Sequence, residues 1–283
     1  MISSALTSTR NPRIRAAASL RSRRARDETG LTLVDGIREI SRALGAGARV
    51  RELFAVDDPD PTLAATVETA RDAGASIVTV DRRVVDHLGY GERSEGLVAV
   101  IEIPSTTLSA IQLSEDPLVV VLEGVEKPGN LGAVLRTADA TGAACVISAD
   151  ARTDMFNPNT IRASLATVFT VPVASESSDV ARSWLREHGL RIVSARVDGA
   201  VAWSDAELTG PVAIVLGSEA DGLTDAWSGD EIESVRLPML GAADSLNVSI
   251  TAAVLLFEAR RQRLQRPRSA GFESRAATPG LGH

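Results

Sequence analysis

Three short segments in the second half of the chain combine glycines with polar side chains that could take part in a reaction. They cover residues 123–132, 217–222 and 237–249. Guanidinium, amide, hydroxyl and carboxylate groups can stabilise developing charge and hold a substrate in one orientation. The catalytic candidates on or just after these segments are Asn130, Arg136, Glu219, Ser245 and Asn247.

Each segment also has a purely structural explanation. Asn130 is well placed to cap the helix that follows it, and residues 217–222 are typical of a glycine-rich turn. Ser245 and Asn247 resemble helix N-cap residues. Arg136 is harder to explain, because it lies about one and a half turns beyond Asn130 on an otherwise apolar helix face, where burying a guanidinium without partners is costly. The recurrence of such segments favours a common site, which Asn130 and Arg136 would share.

Each segment directly follows a predicted strand, at 118–122, 212–216 and 235–237. Fully apolar strands of this kind suit a parallel sheet that is covered on both faces, and ligands of such sheets bind at the carboxyl ends of the strands. The remaining predicted elements of this half are strands at 144–148 and 190–197 and helices at 159–169, 178–187 and 246–265. The alternation predicts an α/β fold with a parallel sheet and flanking helices.

The first half of the chain has the pattern of a smaller α/β domain. Its predicted helices cover 11–26, 37–44, 62–73 and 82–88, and its predicted strands cover 31–34, 50–56, 76–80 and 97–103. The segment before residue 118 carries two prolines and several serines and threonines, which is typical of a linker. We therefore predict an N-terminal domain at 1–105, a linker at 106–117, a second domain at 118–267 and a disordered tail at 268–283.

The charge of the chain is unevenly distributed. The formal net charge is −7, yet residues 10–26 hold seven arginines and no acid, and five more arginines lie between 260 and 268. A basic helix is typical of proteins that contact nucleic-acid phosphates, which makes Arg13 and Arg15 candidates for binding RNA. A solvated surface helix explains the same pattern equally well.

Several functional classes lack their signatures in this sequence. No strand is followed by G-x-G-x-x-G, Gly45 and Gly47 follow a helix instead, and no P-loop motif occurs. The single cysteine, Cys145, lies in an apolar strand and is expected to be buried and inert, and the three scattered histidines do not predict a metal site. The longest apolar runs are too short to span a membrane, and no secretory leader is evident, so we expect a cytoplasmic protein.

At these three segments the chain resembles the SpoU (TrmH-like) family of RNA 2′-O-ribose methyltransferases, within the SPOUT superfamily. The resemblance covers about residues 117–264, and the first hundred residues resemble the family's L30e-type substrate-binding domain. The sequence departs from the family at Asp35, where glutamate is usual, and at Ala166 and Ala220, where glycines are common. The matching residues are Pro-Gly-Asn-Leu-Gly-Ala at 128–133, Arg-Thr-Ala at 136–138, Gly-Ser-Glu at 217–219 with Gly222, Leu-Pro-Met at 237–239 and Ser-Leu-Asn-Val-Ser at 245–249, together with the weaker Asn-Pro-Arg-Ile at 11–14 and Leu-Val-Asp-Gly at 33–36.

The resemblance implies a trefoil knot in the C-terminal domain, which is contrary to the usual topology of protein chains. It implies that S-adenosylmethionine binds among the knot loops, where apolar side chains and backbone polar groups suit an adenine ring. It also implies a homodimer through the knotted domain, with Arg162 contacting RNA, and no metal. The cofactor-binding candidates are Leu216, Gly217, Leu237, Met239 and Leu246.

The implied reaction is S-adenosylmethionine-dependent methylation of a ribose 2′-hydroxyl. The family assigns activation of that hydroxyl to the arginine matched by Arg136, with Asn130 and Glu219 holding the site. Because a guanidinium has a pKa above about 12, we expect Arg136 to stabilise the developing alkoxide or bind the adjacent phosphate rather than act as a base. Ser245 and Asn247 would orient the ribose or the arginine.

A separate N-terminal domain with a basic helix favours a large folded RNA, and 23S ribosomal RNA fits better than transfer RNA, which stays an alternative. Some family members protect antibiotic producers, as the avilamycin- and thiostrepton-resistance enzymes do, and the resemblance extends to that type. Two other classes stay open at this point. One is an inactive RNA-binding protein on the same scaffold, and the other is a dinucleotide-dependent enzyme.

Overall fold

The computed structural model describes residues 5–58, 60–89 and 95–265. In the first half, four strands form a sheet in the order β1-β4-β2-β3, in which only β2 and β3 pair in parallel. Its strands are β1 Leu31–Asp35, β2 Val50–Ala55, β3 Ser76–Thr79 and β4 Leu97–Glu102. Its helices are α1 Pro12–Ser19, α2 Arg23–Thr29, α3 Ile37–Gly45, α4 Pro61–Asp72 and α5 Arg82–Leu88.

The predicted helix over 11–26 is two helices, so that prediction is wrong. Asn11 caps α1 as expected, but the helix ends before Leu20 and Ser22 caps α2 by accepting a hydrogen bond from the backbone of Ala25. The break leaves the carbonyls of Leu20 and Arg21 without helical partners. Both accept from Arg26, whose side chain is only 2% exposed, so a buried guanidinium stabilises the break.

In the second half, seven strands form a parallel sheet in the order β7-β6-β5-β10-β8-β11-β9, which confirms the predicted α/β fold class. Its strands are β5 Leu118–Glu123, β6 Cys145–Ala149, β7 Val173–Glu176, β8 Arg191–Ala195, β9 Val201–Ala202, β10 Val212–Leu216 and β11 Ile232–Arg236. Its helices are α6 Pro128–Thr141, α7 Pro158–Ala163, α8 Ser178–Glu187 and α9 Val248–Gln265. The knot stays a prediction of the resemblance.

The helix predicted over 159–169 is also wrong. The chain leaves α7 after Ala163, passes through Leu165 and Ala166 with positive φ angles of 54° and 63°, and makes a 3₁₀ turn at Thr167–Phe169. Left-handed backbone is costly for residues with a side chain, which gives a physical reason for the glycine that the family commonly has at the position of Ala166.

The two sheets are joined by tight packing. Buried side chains from both halves, such as Val34 and Leu131, belong to one hydrophobic cluster. The buried Arg26 forms an ion pair with the partly exposed Asp154 at 2.5 Å, and Thr32 donates to the carbonyl of Phe156. The predicted boundaries at 105 and 118 stay predictions. The chain between the sheets holds a 3₁₀ turn at Leu108–Ala110.

No helix within the described ranges is both long and apolar enough to cross a membrane. The tail predicted to be disordered, at 268–283, lies outside the described residues.

Candidate active site

The carboxyl ends of β5, β10 and β11 lie at one edge of the parallel sheet, and the segments that follow β10 and β11 enclose a cavity of about 510 Å³. All five predicted cofactor-binding residues line it, as do Glu219 and Ser245. Its wall is apolar where Leu216 and Val248 lie and polar where Asp244 and Ser245 lie. The cavity therefore offers an apolar slot with polar groups at its rim.

Glycines give the turn after β10 its shape. Ser218 and Gly222 exchange two backbone hydrogen bonds of 3.1 Å, and Gly222 has a positive φ of 69°. A Cβ atom on Gly217 would lie 2.2 Å from the carbonyl carbon of Gly222, so no larger residue fits there without moving the turn. Gly217 is thus required by the close approach of two backbone segments, and this leaves its own backbone exposed to the cavity.

Three of the predicted catalytic side chains contact one another beside the cavity. Asn247 donates from Nδ2 to Oδ1 of Asn130 at 3.2 Å and to Oε1 of Glu219 at 3.3 Å. The other carboxylate oxygen of Glu219 pairs with Nζ of Lys127 at 2.9 Å. The three segments predicted from the sequence therefore converge on a single polar network.

The expectation that Asn130 caps α6 is wrong. The helix begins two residues earlier, with Lys127 at the N-cap position and Pro128 as its first residue, and no side chain caps it. Proline favours the first helical position because it has no N–H group to satisfy. Asn130 lies within the first turn, and its buried Nδ2 atom has no partner among the described residues.

Asn247 has both of the roles considered for it. Its Oδ1 accepts hydrogen bonds from the backbone N and the hydroxyl of Ser249 at the start of α9, while its Nδ2 faces the polar network. The helix start fixes the side-chain amide, and the amide can then hold Asn130 and Glu219 in place.

Arg136 is not buried, contrary to the cost argument made from the apolar helix face. It is exposed on α6, and within 5–58, 60–89 and 95–265 no residue pairs with its guanidinium. The structure does not join it to the network of Asn130, and it does not line the cavity. Ser245 is exposed at the rim. Arg136 is thus an exposed cation on α6 rather than a buried one.

Sequence reasoning missed two parts of the site. The chain after β8, at residues 195–198, forms one wall of the cavity. Because β8 pairs in parallel with β10 and β11, its carboxyl end lies at the same edge, and the topology would have indicated this wall had the strand order been known. Lys127 was also missed as a partner of Glu219, although it lies within the segment at 123–132 that carries Asn130.

The arginine-rich segment is largely paired. Arg13 contacts Glu52 at 2.5 Å, whereas Arg15 is exposed and has no side-chain partner in the described part of the chain. Arg162 contacts Asp35 across the two halves at 3.4 Å. The other arginines of this segment that have partners are Arg21, with two carbonyl oxygens, and Arg23, Arg24 and Arg26, with carboxylates.

The cavity residues fit the cofactor that the resemblance implies. Small-molecule sites commonly have volumes of about 300–1,000 Å³, mostly apolar walls and a few polar groups. Leu216, Leu237 and Leu246 supply apolar surface, and the backbone at Gly217 supplies polar groups.

Among the residues described, no group of acidic, histidine or cysteine side chains is arranged to hold a metal ion. Cys145 is buried in β6, and burial raises the pKa of its thiol to about 12.

Known families match both halves of the chain. The SpoU rRNA Methylase family matches residues 117–257, and the MRM3-like substrate binding domain matches residues 11–99. These matches confirm the resemblance noted in the sequence.

Individual proteins match over most of the chain. It is 33% identical to the 23S rRNA (uridine(2479)-2′-O)-methyltransferase of Streptomyces viridochromogenes, over 87% of this chain and 88% of that protein. It is 30% identical to the 23S rRNA (adenosine(1067)-2′-O)-methyltransferase of Streptomyces laurentii, over 87% and 92% of the two chains. The crystal structure of an AdoMet-bound rRNA methyltransferase from Sinorhizobium meliloti is similar with a TM-score of 0.84 at 29% identity, over 91% and 97%.

Proposed function

The chain belongs to the SpoU rRNA methylase family, and from this premise we propose that it transfers a methyl group from S-adenosylmethionine to a ribose 2′-hydroxyl of 23S ribosomal RNA. The observation that carries the proposal is the network of Asn130, Glu219 and Asn247 at the rim of the apolar cavity. The relatives that support it methylate a uridine in one case and an adenosine in the other. The base of the target nucleotide therefore does not follow from family membership.

The cavity would hold the cofactor through Leu216, Leu237, Met239 and Leu246, with the backbone at Gly217 meeting its polar edge. The bound cofactor supplies an electrophilic methyl group. The start of α9 fixes Asn247, which in turn holds Asn130 and Glu219 in place. These side chains would orient the incoming ribose. Positioning two reactants in one line is a large part of the catalysis of such a displacement.

Arg136 serves as the electrostatic group in this proposal. Its guanidinium is exposed and uncommitted, so it can approach the ribose oxygen or the neighbouring phosphate when RNA binds. The oxygen forms a bond to the methyl carbon while the carbon–sulfur bond breaks, and the hydroxyl proton passes to a phosphate oxygen or to water. The permanent positive charge of the guanidinium would stabilise the negative charge that develops on the ribose oxygen. Ser245, at the rim, would orient the ribose.

The RNA would contact the protein through Arg15, Arg13 and Arg162. Of these, Arg15 needs no rearrangement, whereas Arg13 and Arg162 must exchange a carboxylate partner for a phosphate. We place this activity in the cytoplasm, where bacterial ribosomal RNA is modified. Protection against an antibiotic stays a prediction of the resemblance.

A homodimer through the second domain completes the proposal. Ile250, Phe257 and Leu264 recur every seven residues on α9, and each is more than half exposed. Such a stripe on one helix face is suited to packing against a second copy of the chain. Replacing Phe257 with Asp is expected to give a monomer by light scattering, and a dimer of unchanged stability would contradict this assignment.

The direct test is methyl transfer from radiolabelled S-adenosylmethionine to 23S rRNA and to transfer RNA, followed by mapping of reverse-transcription stops at low nucleotide concentration. We expect one 2′-O-methylated nucleotide in 23S rRNA, formed about 10²–10³-fold more slowly by the Arg136→Ala enzyme. Labelling of transfer RNA instead would favour the tRNA alternative. Binding of the donor without any transfer would favour an inactive RNA-binding protein, and binding of a nicotinamide dinucleotide would favour the third class.

A further inference from the structure

One buried carboxylate at the active-site edge of the sheet has no part in the chemistry proposed above. Glu123 is the last residue of β5, lies in the middle of the parallel sheet and is only 3% exposed. Within the described ranges, no lysine, arginine or histidine forms an ion pair with it. Burying a carboxylate without a cation is costly, so its hydrogen bonds must compensate.

Glu123 accepts hydrogen bonds from two segments that are distant in sequence. Its Oε1 accepts from the hydroxyls of Ser178 at 2.8 Å and Thr224 at 2.7 Å, and its Oε2 accepts from the backbone N of Thr224 at 2.8 Å. All three hydrogen bonds therefore end on the two oxygens of this one carboxylate. Ser178 begins α8, and Thr224 follows the turn at 217–222. Glu123 thus ties that turn to the body of the sheet.

Thr224 is connected to the cavity through the backbone of the two residues that precede it. Residues 222 and 223 immediately precede Thr224, and their backbone lies so close to Gly217 that a Cβ atom there would be 2.2–2.5 Å away. Gly217 and Leu223 both line the cavity. Since close-packed backbone transmits small displacements, the position of Thr224 sets the position of the cavity wall.

From these contacts we infer that Glu123 is a positioning residue. It holds the turn at 217–222, together with residues 223 and 224, in the conformation that binds the cofactor. The inference rests on the proposed function, because it concerns the same cavity. Glu123 acts through Thr224 and has no contact with the reacting atoms. Its loss therefore weakens cofactor binding and leaves the rate at saturating cofactor nearly unchanged.

The test compares two partners of the same carboxylate. Thr224→Val removes the hydroxyl contact to Glu123 and also the hydrogen bond that Thr224 Oγ1 accepts from the backbone N of Ala226. Ser178→Ala removes the contact to α8 and leaves both contacts to Thr224. Each variant is measured as the full-length protein, with the affinity for S-adenosylmethionine by titration calorimetry, the melting temperature, and KM and kcat for methyl transfer. We expect Thr224→Val to bind the cofactor about tenfold more weakly, through a higher KM, while Ser178→Ala stays within about twofold.

Glu123→Gln provides the conservative variant. Its amide can donate to both hydroxyls while its oxygen accepts from the backbone of Thr224, so we expect the affinity to stay within about threefold of the wild type. Glu123→Ala is expected to weaken binding at least as much as Thr224→Val. Equal affinities in all variants, or equal losses in Thr224→Val and Ser178→Ala, would overturn the inference. A wild-type protein that does not bind the cofactor would instead overturn the proposed function, and this inference with it.

Discussion

The carboxyl edge of the seven-stranded sheet and the arginine-rich segment at residues 10–26 both concentrate polar side chains, but the fold uses them in opposite ways. At the sheet edge, Asn130, Glu219 and Asn247 come from three distant segments and form one hydrogen-bonded network beside a cavity. In the arginine-rich segment, most guanidinium groups are already paired, and Arg26 is buried. Clustered charge along a sequence is therefore a weaker sign of a binding surface than convergence of strand ends.

Replacing Arg26 with Ala would test whether the arginine-rich segment stabilises the fold. Removing one partner of the buried pair with Asp154 is expected to lower the free energy of unfolding by about 3 kcal/mol, toward the lower end for buried pairs because Asp154 is partly exposed. Urea denaturation measures the change. The matched control is Arg24→Ala, which breaks an exposed pair with Glu28 and should cost less than about 1 kcal/mol. Similar losses in both variants would contradict the distinction.

Replacing Arg136 with Ala would test the chemistry proposed for the carboxyl edge of the seven-stranded sheet. Loss of a group that stabilises developing charge is expected to lower kcat about 10²–10³-fold, with the affinity for S-adenosylmethionine unchanged because Arg136 does not line the cavity. Single-turnover methyl transfer and calorimetry measure the two quantities. Undiminished methylation by Arg136→Lys across the pH range would show that a guanidinium is not needed.

Raising the pH would test whether burial in β6, a strand of the sheet that carries the site, keeps the Cys145 thiol neutral. Burial raises the pKa of the Cys145 thiol to about 12 from an ordinary value of 9.0. Its contribution to stability is therefore complete below the ordinary value and is lost as the pH rises toward 12, by at most about 1.4 kcal/mol per pH unit. Urea denaturation at pH 8 and pH 10 should show a smaller loss for Cys145→Ala than for the wild type. Equal losses would mean that the thiol ionises freely.

Replacing Arg15 with Ala would test the smallest expected effect. Arg15 has no side-chain partner in the described part of the chain, so one phosphate contact would be lost and the slope of log affinity against log salt would fall by about 1. Filter binding to 23S rRNA fragments at several salt concentrations measures the slope. Arg13→Ala should change the slope less, because Glu52 already neutralises Arg13. A larger effect for Arg13 would reverse this ranking.

The sequence predicted the elements with strong periodicity and the segments that form the site. It predicted α5, α8 and β10 with the bounds that the structure has. It missed β7 and β9, which are four and two residues long and hold few of the apolar residues that mark a buried strand. Short edge strands are fixed by pairing with a neighbour, and that pairing is not visible along the chain.

The remaining prediction errors also occur where the structure depends on contacts between residues that are distant in the sequence. Both helix breaks involve contacts with distant residues: Arg26, which donates to the carbonyls of Leu20 and Arg21, pairs with Asp154, and Arg42 of α3 donates to the carbonyl of Leu165. The cavity wall after β8 depends on strand order. Local pattern alone could not show whether an arginine would meet a carboxylate from another element, as Arg13 and Arg26 do.

The most direct test of the account is a crystal structure of the protein soaked with S-adenosylmethionine. We expect the donor in the cavity, with its adenosine against Leu216, Leu237 and Leu246 and its methyl group directed toward Asn130, Glu219 and Asn247. A donor bound elsewhere, or a methyl group directed away from these three side chains, would contradict the account.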